Sequence, residues 1–281
     1  SALQEIGDQY HQRFALFSIA DAEMIDRNIS GAHTGDMYYR GENPAVGAMI
    51  DYYVREDVDA DKLKLTIHDT DGNELATLRT DAKAGIHRTY WNFRGPDFKP
   101  MNQNPDNNRR GGFRGFGLGG TPILPGVYVA RLTYEDKVIE QTFKVKNDPR
   151  LEVNIDAQRA WKESLMGVGE VYEMVVDEML PAQKMGWHLD KLNKEKVEYN
   201  EEAAEAIEDL NSKYSELMSR VRSVYFEASG WIGPLSGDQK AQLDFFKTML
   251  PKLRQETNQV MKTAIPKLNR GLSRANRYTA N

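Results

Sequence analysis

The chain has 281 residues, of which 40% are hydrophobic and 28% charged, which is enough apolar material for a core and too much for a disordered polymer. Lysine and arginine number 37 against 42 aspartates and glutamates, a formal net charge of −5, and this argues against a nucleic-acid protein that works by neutralising phosphates. Without cysteine, disulfides, thiol catalysis and Cys-ligated zinc are excluded together.

At about 100–200 residues per domain the length allows one large domain or two modest ones, and the hydrophobic pattern argues for two. Residues 1–43 hold a single apolar cluster, Phe14-Ala15-Leu16-Phe17, in otherwise mixed polar sequence. Two readings stand open: a remnant of a preceding domain, or an arm that packs on the domain that follows. Ser1 to Arg13 lack the basic-then-apolar profile of a secretion signal, which suggests a cytosolic protein or a processed piece. No run of about 18 apolar residues exists, so no membrane span is expected.

From residue 44 to residue 150 the period is two. Ala48, Ile50, Tyr52 and Val54 alternate with Met49, Asp51, Tyr53 and Arg55. Leu63, Leu65 and Ile67 alternate with Lys62, Lys64, Thr66 and His68, giving a strand with one dry and one wet face. Asp69-Thr70-Asp71-Gly72-Asn73 supplies a hairpin turn, since Gly and Asn tolerate positive φ. Further strands are predicted over 74–80, 85–93, 127–134 and 137–146. Six or seven short strands without helical period predict an antiparallel immunoglobulin-like β-sandwich with Trp91 in its core. Residues 94–122, rich in Asn, Gly and Pro, read as a long mobile loop between two of its strands.

After Asp148-Pro149-Arg150 the period changes. Trp161, Leu165, Val168, Tyr172, Val175 and Met179 form one helical stripe; Ile207, Leu210, Tyr214, Leu217, Val221 and Val224 form a second. Leu243, Phe246, Leu250, Leu253, Thr257, Val260 and Ala264 form a third. Ser236 followed by Gln239 has the spacing of a capping box that starts the third helix. Helices of about 28 residues span about 40 Å and are unstable alone in water, so residues 151–281 are expected to form a long antiparallel three-helix bundle. Kinks or breaks are expected at Pro181, Pro251 and Pro266. Gly167 and Gly169 leave two readings open: a close approach by the β-domain or a neighbouring helix, or a frayed and exposed turn. The fold class is thus α+β in two domains.

Catalytic patterns are sparse. His11, His33, His68, His87 and His188 are the only histidines, and none shares the helical spacing of a zinc motif. No Gly-x-Ser-x-Gly elbow occurs. Gly115-Phe116-Gly117-Leu118-Gly119-Gly120 matches the dinucleotide fingerprint in letters, but Thr121-Pro122-Ile123-Leu124-Pro125 after it cannot open a helix over a pyrophosphate. Asp57, Asp59, Asp61, Asp69 and Asp71 lack the twelve-residue calcium pattern. Glu195, Glu198, Glu201, Glu202, Glu205 and Glu208 read as a solvated helix surface. No cofactor, metal or catalytic residue is assigned. The residues singled out for contact with a ligand or partner are Phe98, Arg109, Arg110, Phe113, Arg114 and Phe116, where arginines and rings alternate in the loop.

Several segments carry a resemblance: Tyr39-Arg40-Gly41-Glu42-Asn43-Pro44-Ala45-Val46-Gly47-Ala48-Met49-Ile50-Asp51-Tyr52-Tyr53, Leu65-Thr66-Ile67-His68-Asp69-Thr70-Asp71-Gly72-Asn73, Gly85-Ile86-His87-Arg88-Thr89-Tyr90-Trp91-Asn92-Phe93, Pro125-Gly126-Val127-Tyr128-Val129-Ala130-Arg131-Leu132 and Val145-Lys146-Asn147-Asp148-Pro149-Arg150. Together they resemble the C-terminal region of large secreted bacterial propeller proteins of sortilin-like, Asp-box type, common in Bacteroidota. There an immunoglobulin-like domain similar to that of flagellar hook-capping proteins precedes a helical segment. Such proteins are often labelled glycosyl hydrolases for their propeller repeats. No Asp-box turn, Ser-x-Asp-x-Gly-x-x-Trp, occurs in this sequence, so the resemblance carries no catalytic residue over. It implies an exported, periplasmic or cell-surface protein whose partner is a β-propeller domain or an envelope complex.

Three functions are weighed. The first is a non-catalytic structural and protein-interaction module. The second is a carbohydrate-binding module, with Tyr90, Trp91, Phe93 and Phe98 stacking on a glycan; if Trp91 and Phe93 lie in the sandwich core, this reading loses its main residues. The third is a hydrolase, which requires converging carboxylates, or a histidine and a carboxylate, in a pocket.

Overall fold

The computed structural model describes residues 5, 7, 11–25, 45–101 and 118–279. The chain divides into two compact units, Ser1–Pro96 with Gly120–Ile155, and Asp97–Gly119 with Asp156–Asn281.

Among the described residues the first unit has eight strands: β1 (Phe14–Leu16), β2 (Ala22–Met24), β3 (Ala48–Val54), β4 (Leu63–His68), β5 (Glu74–Leu78), β6 (Gly85–Trp91), β7 (Gly126–Tyr134) and β8 (Lys137–Asn147). They form a three-stranded sheet in the order β1-β3-β6 and a five-stranded sheet in the order β2-β8-β7-β4-β5. All pairings are antiparallel except β2 on β8. The inward residues Ala48, Ile50, Tyr52 and Val54 of one sheet and Leu63, Leu65, Ile67, Ala130 and Leu132 of the other share one apolar core, with Trp91 wholly buried in it. Gly47, at φ +128°, brings the backbone so close to the Trp91 carbonyl that a Cβ would overlap it, so only glycine fits where β3 begins.

The apolar cluster near the start of the chain packs on the domain that follows it, as strands of its sheets: Phe14 pairs with Val54 in one sheet, and Ala22 pairs with Val145 in the other. The early strands were hidden because each is only three residues long, too short for a period to register. His68, read as facing water, is 6% exposed. Its Nε2 lies 2.9 Å from the Thr66 hydroxyl and its Nδ1 3.2 Å from the Gly72 carbonyl, so the ring is folded into the turn it precedes.

Among the described residues the second unit has three α-helices, α1 (Ile155–Lys194), α2 (Glu201–Ser229) and α3 (Gly237–Asn269). Their predicted stripes enter a single apolar cluster. Asn200 caps α2, its side chain accepting from the Ala203 amide. Ser236 and Gln239 form the reciprocal capping box of α3. No helix breaks at its prolines, and Pro181, Pro251 and Pro266 all lie inside helices. Pro251 and Pro266, with Lys247 and Lys262 one turn before them, are exposed, so the carbonyls freed by the missing N–H groups can be hydrated. Within the shared core, the Thr257 hydroxyl donates to the Leu253 carbonyl at 2.8 Å, so it accepts from the Tyr214 hydroxyl at 3.0 Å.

Candidate functional site

Of the residues singled out in the loop, Phe98 is described; Arg109, Arg110, Phe113, Arg114 and Phe116 lie outside the described residues. Phe98 is not a free ligand contact. It sits with Asp97–Gly119 in the helical unit, its ring centroid 6.4 Å from that of Tyr172 and 5.9 Å from that of Tyr225. The ring lies in the notch left by Gly169, where a Cβ would overlap it. Tyr172 donates to the Lys99 carbonyl at 3.0 Å, Gln183 to the Met101 carbonyl at 3.0 Å, and Tyr225 to the Gly119 carbonyl at 3.1 Å. Lys99 adds an ion pair to Asp177 at 2.7 Å, and Leu118 is buried among the helical residues. Burial holds the Tyr172 phenol above its ordinary pKa, so it remains a donor. The described ends of the excursion are therefore anchored, contrary to the mobile loop expected. Gly167 has nothing near it; of the two helical glycines, only Gly169 receives a neighbour.

The aromatic residues proposed for glycan stacking are mostly inside. Trp91 packs edge-on against Phe93, Tyr128 and Phe143, and its indole N–H donates to the Arg94 carbonyl at 2.9 Å. Phe93 is buried as well. The carbohydrate reading thereby loses its two central rings.

Charged residues are mostly committed to local structure. Asp69 accepts from the Asp71 and Asn73 amides and from the Asn73 side chain, which makes it a turn residue. Asp57 pairs with Lys83 and caps the Ala84 amide. Among the described residues no three histidines and carboxylates are grouped to hold a metal.

The feature that stands apart is the outer face of the β1-β3-β6 sheet. A half-buried sheet should show polar residues there, yet Ala15, Phe17 and Tyr53 form a small buried cluster. Beside it Met49 is paired across the strands with Tyr90, and Tyr53 with Ile86. Met49, Ile86 and Tyr90 are 41%, 38% and 37% exposed. Between these apolar rows Arg88 grips Asp51 through two hydrogen bonds of 2.7 and 2.8 Å, and Asp51 is buried. Met49 also lines a cleft of about 230 Å³ with Asp21, Glu23, Ile25 and Val46. Asp21 is paired with Lys146 at 2.5 Å, and that ammonium holds its carboxyl below the usual range. This surface was missed from the sequence because Met49, Tyr53 and Tyr90 look like ordinary outward strand residues until the register lines them up.

No protein-family model and no curated protein matches the chain. Among solved structures the chain is similar to CopC from Methylosinus trichosporium OB3b, at 14% identity and a TM-score of 0.20 over 38% of this chain and 80% of that one. Among the described residues no helix is long and apolar enough to cross a membrane.

A second exposed apolar group lies at the α2–α3 turn, where Trp231 is 77% exposed beside Ile232. Earlier on α2, the Arg222 guanidinium stands 5.8 Å over the Phe226 ring.

Proposed function

We propose that the chain is a non-catalytic protein-interaction module of an exported or cell-envelope protein, in which an immunoglobulin-like sandwich and a three-helix bundle form a scaffold. Two largely antiparallel sheets that share one apolar core around the buried Trp91 support the immunoglobulin-like reading. The shared apolar core of the three helices supports the bundle. Export and a propeller or envelope partner rest on the resemblance over residues 39–275.

The observation that carries the proposal is the apolar outer face of the three-stranded sheet. Exposed Met49, Ile86 and Tyr90 around a locked Asp51–Arg88 pair combine side chains that gain from leaving water with a polar group already satisfied. That is the composition of an interface core. A photo-crosslinking residue at Tyr90, in cells that make the protein, should give a discrete protein adduct that Met49→Asp abolishes. A control at Glu140, on the other sheet, should give none. Adducts of equal yield from both positions, or none from Tyr90, would count against the proposal.

A further inference from the structure

The segment that follows α3 turns back onto the helical core. Leu272 is buried in that core and Tyr278 packs against it. Asn269, the last residue of α3, clips Tyr278 at two points: its side-chain oxygen accepts from the Tyr278 amide at 2.8 Å, and its side-chain nitrogen donates to the Tyr278 carbonyl at 3.0 Å. Arg277 donates to the Leu272 carbonyl at 3.2 Å, closing the segment on itself.

His188 of α1 lies beneath this segment. Its ring meets that of Tyr278 edge to face, centroids 5.5 Å apart, and it hydrogen-bonds to the Asn276 backbone. Its Nε2 is buried and has no partner. We infer that His188 makes the docking of residues 270–279 on α1 a pH-sensitive latch, closed while the imidazole is neutral and loosened when it takes up a proton.

The physical reason is the orphaned nitrogen. In the neutral ring one nitrogen serves Asn276 and the other is a bare lone pair, which is inexpensive to bury. Protonation turns Nε2 into a charged donor with no acceptor in reach, a state favoured only once the segment lifts and water enters. The charged neighbours are divided: Lys191, one turn along α1, opposes the proton, and Glu195 favours it. The segment itself brings three guanidinium groups, Arg270, Arg274 and Arg277. Tyr278 stays neutral, because burial raises its phenol. From α3 the adjoining residue is the uncharged Asn269, and its nearest cation toward the chain start, Lys267, is paired with Glu202 of α2. Burial depresses the His188 pKa from its ordinary value. A depressed value means that the docked state binds the proton less well than the open one. Docking is therefore complete above the ordinary imidazole range near 6.5 and is lost as pH falls below it.

The test is amide hydrogen exchange on the full chain, expressed as protection factors so that the intrinsic pH dependence cancels. Protection of the 272–278 amides should fall several-fold from about pH 7.5 to about pH 5.5, while α1–α3 core amides hold theirs. In His188→Gln that fall should disappear. A fall of the same size in His188→Gln, or none in the unaltered chain, overturns the inference. Should His188→Gln not fold, the His188 ring resonance of the unaltered chain decides: a pKa at or above the ordinary value overturns the inference. By reciprocity Tyr278→Ala, which frees the segment, should bring that pKa back toward the ordinary value.

Discussion

The ring of Phe98 fills the space that a side chain would need at Gly169. A residue that lies between β6 and β7 in the sequence thus sets the identity of a residue inside α1, within the same compact unit. Alanine is favoured over glycine in a helix interior by about 1 kcal/mol, but displacing a packed ring costs about 1–3 kcal/mol. Gly169→Ala should therefore lower stability by about 1 kcal/mol in urea unfolding. Gly167→Ala, with open space around it, should raise stability by up to about 1 kcal/mol. If both shift stability in the same direction, the notch is not what keeps Gly169.

The Tyr214–Thr257 pair predicts an asymmetry. Tyr214→Phe removes a donor and leaves Thr257 still bonded to the Leu253 carbonyl, a loss of about 1 kcal/mol. Thr257→Val strands the buried Tyr214 hydroxyl and should cost about 1–3 kcal/mol. The double variant should recover part of the loss, which chemical denaturation of the four proteins would measure.

Acid should reveal the link between Asp148 and Arg150. Asp148 is buried, accepts from the Arg150 guanidinium and backbone amide, and those bonds hold its carboxyl down at about 2. A depressed carboxylate contributes stability that is complete above its ordinary value near 3.9 and is lost as pH falls toward about 2. Arg150→Gln should therefore narrow the stability difference between about pH 5 and about pH 3, followed by thermal unfolding at each pH.

The helical unit should be less stable when cut at residue 150. The fragment 151–281 lacks Leu118, which is buried in the helical core, and Phe98, which packs on it. Removing one large apolar group from a core costs about 2–5 kcal/mol. The fragment is expected to unfold at lower urea concentration than the helices of the full chain, and to bind a hydrophobic dye. A fragment as stable as the full chain would show that the excursion contributes nothing.

Regular elements were legible wherever a period ran for seven residues or more. Every residue of the α2 stripe from Ile207 to Val224 is buried, and Ser236 caps α3 as its spacing suggests. Strands as short as Phe14–Leu16 leave too few alternations to count, so the early sheet partners stayed hidden. His68 failed for a different reason: alternation gives the face of a sheet but not what folds over it, here Thr66 and the Gly72 carbonyl. Phe98 failed because Asn-Gly-Pro composition reports the lack of regular structure and says nothing of where the ends are held. The apolar outer face depends on the Met49–Tyr90 and Tyr53–Ile86 registers, which join positions distant in sequence.

The anchoring of the excursion also orders events during synthesis. The carbonyl of Gly119 waits for the hydroxyl of Tyr225, made 106 residues later, and Phe98 waits for both Tyr172 and Tyr225. Until the ribosome has released α2, those oily groups have no home, although the strands around them are already complete. Nascent chains stalled after β8 should therefore be the form most prone to clumping and most in need of a chaperone's cover.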